Sequence, residues 1–457
     1  MVKNKLCDAA DWFHPDVLDV IQNELRETPR FHRKQWESAM IFLALKERRK
    51  LNSNAMGLSM GGGKELIAYA LAPHTKQLVI TDLYEMNTEW DCAKTDDPDS
   101  YIRRNKPFPV DDAKLAAQRM DMRDLRFADK TFDFCYSTCA IEHIGGTHDF
   151  LRHFNEVARV LKEDGVYVFT TEILFGTTTI RDDHNYVFSL EELRELLASS
   201  NLATEEPFDA RLSAHTANYP QPSTLKQLAH AGPDALVQKV LQEGPHIQLL
   251  RGKHPFTCGI IVARKRGTQK EQPPMKILGL EATTNFAQSG INTYNEMLAA
   301  SRVSINPFSL LPAEHSRFFA DHEEFFEKKN QATDRETVFH TDYFWWGNGK
   351  RVFEIALRVG ALTRTGSPEI EFRIHRYKTM ESQHVECLFT ETKPAQHIGW
   401  MVRTIEIATD EEYCYAVLAK MRSGVCSFDR VEVRSHAAHL TSSSVLESEQ
   451  DFFLAQI

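Results

Sequence analysis

The chain is expected to fold as an α/β protein: a doubly wound, mostly parallel sheet with helices before it, followed by a separate all-β sandwich. Three observations carry this. Apolar runs of strand length alternate with helix-period segments from Ala55 to Arg266; a glycine-rich turn closes the first of those strands; and the pattern changes to period two beyond the charged, breaker-rich stretch Arg264–Pro274.

Asp8 to Leu51 reads as helices, with Trp12, Val17, Ile21 and Leu25 on one face and Trp36, Met40, Leu43 and Leu45 on another, so residues 1–50 are expected to cap one side of the sheet. The stretch Gly57-Leu58-Ser59-Met60-Gly61-Gly62-Gly63-Lys64-Glu65 is a strand-to-helix turn, and Val79-Ile80-Thr81-Asp82 ends the second strand. Met120 to Leu125 leads into the apolar strand Phe132–Ser137, the loop Ala140–Gly146 and an amphipathic helix from Phe150 to Leu161. Lys162-Glu163-Asp164-Gly165 turns the chain into the strand Val166–Thr171. Ser189 is the N-cap of a further helix, with Glu192 in the capping-box position. Thr257–Ala263 is a terminal strand, expected to pair with one near Phe208–Leu212. Between those two, Ser213–Lys253 carries Pro220, Pro222, Gly232, Pro233 and Pro245, an irregular insert that is a candidate substrate lid. The expected division is a cap over 1–50, a sheet domain over 51–268, a linker over 269–275 and a sandwich over 276–457.

In that last region Phe353, Ile355, Leu357 and Val359 alternate with Glu354 and Arg358, and Ile370, Phe372 and Ile374 alternate with Glu371, Arg373 and His375. Further period-two runs occupy Trp400–Ile407, Tyr413–Lys420 and Phe428–Val433, which predicts an antiparallel sandwich. The run Tyr343-Phe344-Trp345-Trp346 offers either a sugar-stacking platform or core and interface packing.

Small residues at Ser59, Gly61 and Gly63 let the turn bring backbone N–H groups against a ligand, and an acidic residue at the end of the second strand can accept hydrogen bonds from both hydroxyls of a ribose. A nucleoside ligand follows. The dinucleotide fingerprint G-x-G-x-x-G sets its third glycine beneath a pyrophosphate, whereas the alternation S-x-G-x-G suits a nucleoside without phosphates better. The same residues also read as G-x-S-x-G, the nucleophile elbow of serine hydrolases, with Ser59 as nucleophile. An elbow normally follows several strands, however, and only helical sequence precedes Ser59.

The glycine turn, Asp82, the pair Asp121-Met122, the Phe132-Asp133 strand, Ile141-Glu142-His143 and the Ala158-Arg159-Val160-Leu161-Lys162 turn to Gly165 together resemble the class I S-adenosylmethionine-dependent methyltransferases. The resemblance runs from Trp36 to Arg266. A narrower bacterial group, encoded among glycan-assembly genes, is similar in Trp36-Glu37, Glu65, Thr81-Asp82-Leu83-Tyr84 and Glu142-His143 with Gly145-Gly146. The resemblance implies a Rossmann-like sheet and S-adenosylmethionine as cofactor, held by Gly57, Ser59, Gly61, Gly63, Asp82, Leu83, Asp121, Met122, Ser137 and Thr138. Asp121, or the backbone beside it, is expected to read the adenine amino group while Met122 packs on the ring. One departure stands out: Gly57 replaces the usual Asp or Glu, and Ser59 the usual Gly, so the methionine amino group must find its contact elsewhere or through water.

Glu142 and His143 follow the fourth strand, where a histidine can serve as base or position a hydroxyl; holding the loop is the structural alternative. Asp182, Asp183 and His184 lie beyond the fifth strand, and His184 is the third catalytic candidate. Some relatives bind a divalent metal through E-x-x-E-H, whose first Glu is Cys139 here; no metal is expected. The implied reaction is methylation of a sugar or glycan hydroxyl, with N-methylation of an amino sugar or small metabolite as the alternative. A non-catalytic glycan-binding scaffold is the reading from another class. Ser427–Val433 is similar to the last strand of jelly-roll carbohydrate-binding modules, which suggests a glycan contact or homo-oligomer formation through the C-terminal domain.

A length of 457 residues suggests two domains, and a net charge of -10 argues against a broad grip on nucleic acid or anionic membrane. The start of the chain turns polar at once and no long apolar run follows, so a cytoplasmic protein without transmembrane segment is expected. The 8 cysteines show no C-x-x-C pairs, against structural zinc or a disulfide framework.

Overall fold

The computed structural model describes residues 4–86, 92–181, 185–204, 207–218, 245–251, 253–267, 274–300, 303–305, 308–309, 337–341, 344–362, 368–378, 381–423 and 426–438. The chain divides into two units: one of Met1–Pro220, Pro245–Leu249 and His254–Gln288, the other of Gln221–Gly244, Leu250–Lys253 and Ser289–Ile457.

Up to Leu278 the strands are β1 (Asn4–Leu6), β2 (Met56–Met60), β3 (Gln77–Asp82), β4 (Leu115–Arg119), β5 (Phe132–Thr138), β6 (Leu161–Leu174), β7 (Leu202–Thr204), β8 (Phe208–Asp209), β9 (Leu249–Arg251), β10 (His254–Lys265) and β11 (Ile277–Leu278). The sheet order is β11-β8-β1-β10-β6-β5-β2-β3-β4. Strands β2 to β6 are parallel to their neighbours, while β10 runs antiparallel to β6. The helices are α1 (Pro15–Asp19), α2 (Arg33–Glu47), α3 (Leu66–Leu71), α4 (Pro98–Arg104), α5 (Thr147–Val160), α6 (Leu190–Ser199) and α7 (Leu280–Ala300).

The strands bury both faces, as a parallel sheet covered by helices must. Phe134, Tyr136, Val166 and Val168 pack with Trp36, Met40 and Leu43 of α2. Their neighbours Phe132, Cys135, Tyr167 and Phe169 join the opposite core with Phe150, Phe154 and Val157 of α5 and Leu193 and Leu197 of α6. The Ser189 cap is present, its hydroxyl accepting from the Glu192 N–H at 3.2 Å.

Four expectations are corrected. The strand at Phe208 does not pair with β10: β1 takes that edge, antiparallel to β10 and parallel to β8, and only β7 reaches β10 from this part of the chain. Three residues centred on Lys5 are too short and polar to read as a strand, so the segment before Ser59 is not purely helical. Lys162–Gly165 is a bulge within β6 rather than a free turn, since Phe132 pairs with Leu161 and Phe134 with Val166. Last, the linker expected at 269–275 does not end the first unit: β11 pairs in parallel with β8, and the division falls at Gln288. Residues 269–273 of that linker, and 219–244 of the expected lid with Pro220, Pro222, Gly232 and Pro233, lie outside the described residues.

The second unit holds β12 (Val303–Ile305), β13 (Phe308–Ser309), β14 (Thr337–His340), β15 (Phe344–Trp345), β16 (Gly349–Leu362), β17 (Glu369–Lys378), β18 (Glu381–Pro394), β19 (Gly399–Thr409), β20 (Tyr413–Ser423) and β21 (Cys426–Ala437). They form two sheets, β12-β21-β16-β19 and β13-β14-β20-β17-β18, with β15 also on β20. Phe353, Ile355 and Leu357 of one sheet share a core with Ile370, Phe372 and Ile374 of the other, which is the sandwich that the alternation predicts. The two tryptophans of the aromatic run offer no exposed platform, and the Phe344 side chain lies outside the described residues. Trp345 and Trp346 are buried, the Trp345 indole donates to the Glu411 carbonyl at 2.8 Å, and Arg351 covers the Trp346 ring at 4.1 Å; Tyr343 lies outside the described residues.

Candidate functional site

The C-terminal ends of β2, β3 and β5 converge, the position at which open α/β sheets bind ligands. After β2 the backbone turns through Gly61 (φ 63°) and Gly63 (φ 42°), a conformation that costs glycine nothing. A Cβ at Gly61 would lie 2.6 Å from the Ala140 Cβ, so only bare backbone passes between the turn and the loop after β5. The adjacent Gly62 N–H donates to the Thr81 carbonyl (3.1 Å), which pins the turn to β3.

Asp82 ends β3 with one carboxylate oxygen accepting from Gly63 N–H (3.0 Å) and the other from Leu83 N–H (2.7 Å). Each oxygen keeps acceptor capacity for a ligand hydroxyl. Burial raises its pKa, and the Leu83, Gly63 and Tyr84 amides oppose the rise. The Leu83 side chain beside it is exposed. Two non-glycine residues adopt left-handed conformations at this edge, Tyr84 (φ 45°) and Cys139 (φ 47°), a strain that clusters at functional sites. The first bonds through its hydroxyl to the Gly63 carbonyl at 3.0 Å and the second through its N–H to the Thr170 carbonyl at 3.1 Å.

Gly57 and Ser59 are corrected: both lie inside β2 and are not part of the turn. A Cβ at Gly57 would sit 2.3 Å from Phe134 Cζ, so close sheet packing explains this glycine. Ser59 is fully buried beneath Gly62, which leaves the hydrolase elbow without an exposed nucleophile. Asp121 forms a fork with Arg123 (3.0 and 2.7 Å); although burial works against it, this pairing holds the carboxyl below its ordinary value. That carboxylate is committed, and the adjacent backbone remains for an adenine. Met122 is buried in the sheet core.

Behind these residues runs a buried chain of hydrogen bonds: Ser137 hydroxyl to Tyr167 hydroxyl (2.8 Å), Tyr167 hydroxyl to His153 Nε2 (2.8 Å), and His153 Nδ1 to the Met122 carbonyl (3.0 Å). Since the carbonyl can only accept, Nδ1 carries the proton and Nε2 accepts from tyrosine. Burial lowers the His153 pKa from 6.5 to about 4. The unfolded chain therefore takes up this proton first, and stability falls as pH drops from 6.5 towards 4, by about 3 kcal/mol in all. Urea unfolding across that range should show a shallower acid loss for His153→Gln than for the unaltered protein; equal slopes would rule out this histidine as the source.

Thr138, at the end of β5, donates its hydroxyl to the Glu65 carboxylate. Beyond it the short helical turn Ile141–His143 carries the two catalytic candidates. Glu142 is buried, accepts from the Thr171 hydroxyl (2.9 Å), and is raised in pKa by burial and by the charge of Glu172. Its neighbour His143 is partly exposed, with its N–H donating to the Ala140 carbonyl at 3.2 Å. Asp182, Asp183 and His184 lie outside the described residues. Among the described residues no group of three or more His, Cys, Asp and Glu side chains is arranged to hold a metal ion.

Arg33 and Lys34 were missed by sequence reasoning, and Glu37 entered it only through the Trp36-Glu37 resemblance. Helix α2 sends Arg33 to Glu172 (2.5 Å), Lys34 to the Thr138 carbonyl (3.3 Å) and Glu37 to the Thr170 hydroxyl (2.8 Å). The available signal is that Arg33 and Glu37 sit one turn apart on the face that carries Met40, a charged pair inside an apolar stripe.

Residues 58–169 match the family model described as "Methyltransferase domain". No curated protein matches the chain. Similar solved structures include a putative sarcosine dimethylglycine methyltransferase from Galdieria sulphuraria (17% identity, 50% of this chain and 84% of that one, TM-score 0.33). A geranyl diphosphate C-methyltransferase from Streptomyces coelicolor A3(2) aligns at 14% identity over 58% of this chain and 90% of that one, TM-score 0.33. An S-adenosylmethionine-dependent methyltransferase from Clostridium acetobutylicum ATCC 824 aligns at 12% identity over 57% of this chain and 100% of that one, TM-score 0.31. Nothing about this chain's substrate follows from likenesses so distant.

A bare-backbone turn and a strand-end carboxylate with acceptor capacity to spare fit a nucleoside cofactor. No helix of the described residues is long and apolar enough to cross a membrane. With the glycine turn, Asp82 and the β5 loop all inside the matched stretch, residues 58–169 form a class I methyltransferase domain, and its cofactor is S-adenosylmethionine.

Proposed function

We propose that the chain methylates a hydroxyl oxygen of a sugar or glycan, with His143 as the group that takes or orients the hydroxyl proton. The observation that carries this reading is the position of the Ile141–His143 turn, which comes two residues after β5 and is capped by Ala140, the residue packed against Gly61. The cofactor supplies a methyl carbon already activated by its sulfonium, which leaves the chain to align an acceptor and remove one proton. In this assignment the Gly61–Gly63 backbone and Asp82 hold the nucleoside and Leu83 covers its exposed edge. Ser137 and Thr138 shape the strand end beneath it. Glu142, tied to Thr171, fixes the turn that bears His143. A sugar acceptor is supported by the resemblance to a glycan-associated group and by the appended sandwich.

The test is transfer of labelled methyl from S-adenosylmethionine to a panel of nucleotide sugars, oligosaccharides and amino sugars. A methyl ether on a sugar oxygen is the expected product. Label found only on amine nitrogen would replace the reading with N-methylation. If calorimetry detected binding of neither S-adenosylmethionine nor S-adenosylhomocysteine, the chain would instead be a non-catalytic scaffold.

A further inference from the structure

S-adenosylmethionine carries a positive amino group at the end opposite its adenine, and a site that draws this end out of water must offer it an anionic acceptor. Gly57 supplies none. Nor is there room for one, since a Cβ there would already meet Phe134 Cζ at 2.3 Å and Leu78 Cδ1 at 2.8 Å. A carboxylate near the glycine turn would be the strongest such acceptor, and Asp82, Glu37 and Glu65 are the ones to weigh.

Asp82 is held by the Gly63 and Leu83 amides and is the ribose candidate already described. Glu37 is fully buried, and its Oε2 accepts from the Thr170 hydroxyl (2.8 Å) and pairs with Lys34 (3.4 Å); its Oε1 has no hydrogen-bond partner among the described residues, but it stands on α2 and not on the glycine turn. Glu65 differs from both. It stands two residues beyond Gly63 at the start of α3, where its side chain makes no capping bond, and it is partly buried. Its carboxylate accepts from the Thr138 hydroxyl, which links the glycine turn to the end of β5. Lys34, a nearby cation, is engaged with Glu37 and the Thr138 carbonyl, and no ion pair to Glu65 is present among the described residues.

We propose that Glu65, oriented by Thr138, is the anionic partner of the cofactor's α-ammonium and replaces the carboxylate that Gly57 lacks. The proposal rests on the S-adenosylmethionine reading of the same site. Burial raises the Glu65 carboxyl to about 7, against the pull of Lys34 and Thr138, so in the free protein near neutral pH it is poised between its two forms. A cationic ligand draws it to the charged form. Affinity should then fall as pH drops below about 7, because binding has to expel a proton first.

Calorimetry with two ligands tests this. S-adenosylhomocysteine carries the ammonium, whereas 5′-methylthioadenosine keeps the nucleoside and lacks the amino acid. Glu65→Gln preserves shape and an acceptor for Thr138; it should weaken S-adenosylhomocysteine by about tenfold to a hundredfold and leave 5′-methylthioadenosine within about twofold. The loss of S-adenosylhomocysteine affinity on acidification should appear in the unaltered protein and vanish in Glu65→Gln. Equal weakening of both ligands, or no weakening of S-adenosylhomocysteine, would overturn the proposal. If Asp82→Ala abolishes binding of both ligands while Glu65→Gln changes neither, the cofactor reading stands and the Glu65 assignment falls. Failure of the unaltered protein to bind either ligand would remove both.

Discussion

His143→Ala is expected to lower turnover by about 10²–10⁴-fold while leaving S-adenosylmethionine affinity within about twofold, because the group removed acts on the acceptor and not on the cofactor. The separation matters as much as the size. A histidine that merely braced the Ile141–His143 turn would, when lost, also disturb Ala140, whose Cβ lies beside Gly61, and cofactor affinity would fall with turnover. Single-turnover rates and calorimetry on the same preparation distinguish these outcomes. Turnover within about threefold of the unaltered protein would pass proton removal to another group, His184 being the next candidate.

Asp82→Ala should weaken S-adenosylmethionine by about 1.5–3 kcal/mol, roughly tenfold to a hundredfold, if its carboxylate receives the ribose hydroxyls. The substitution also strips the Gly63 and Leu83 amides of their acceptor, so the turn loosens as well as losing a ligand contact. Asp82→Asn, which keeps one carbonyl oxygen, should fall between the two. Unchanged affinity in Asp82→Ala protein that unfolds at the normal midpoint would take this residue out of the site.

Local patterns were legible in the sequence. The glycine turn, the acidic end of β3, the Ser189 cap and the alternation of Phe353 with Glu354 and of Phe372 with Glu371 each depend on neighbours a few residues away. What escaped depends on distant partners. Gly57 reads as part of a loop because glycine usually is; it belongs to β2 because the Phe134 ring lies against it, a residue of another strand. Trp345 and Trp346 are adjacent and both buried, since the first donates to Glu411 and the second packs on Phe353, contacts that no periodicity discloses. Asp121 is the exception, a local miss: it stands where an adenine reader is expected, yet its carboxylate is taken by Arg123, only two positions on.

The ion pair from Arg33 to Glu172 has a bearing on how this enzyme could be cut down. Family likeness ends at residues 58 and 169, which suggests a portable catalytic cassette. Physics draws the line elsewhere. Glu172 lies just beyond that stretch on β6, and a piece that keeps all of β6 but drops α2 leaves this side chain, only 7% exposed, with the Asn185 amide (3.1 Å) but without the Arg33 guanidinium, at a cost of about 3–5 kcal/mol. It would also bare the sheet face that Trp36 and Met40 cover. Chimeras that graft this catalytic segment onto another scaffold must carry Arg33–Glu47 with it, because the smallest autonomous piece is bounded by electrostatic compensation and not by homology.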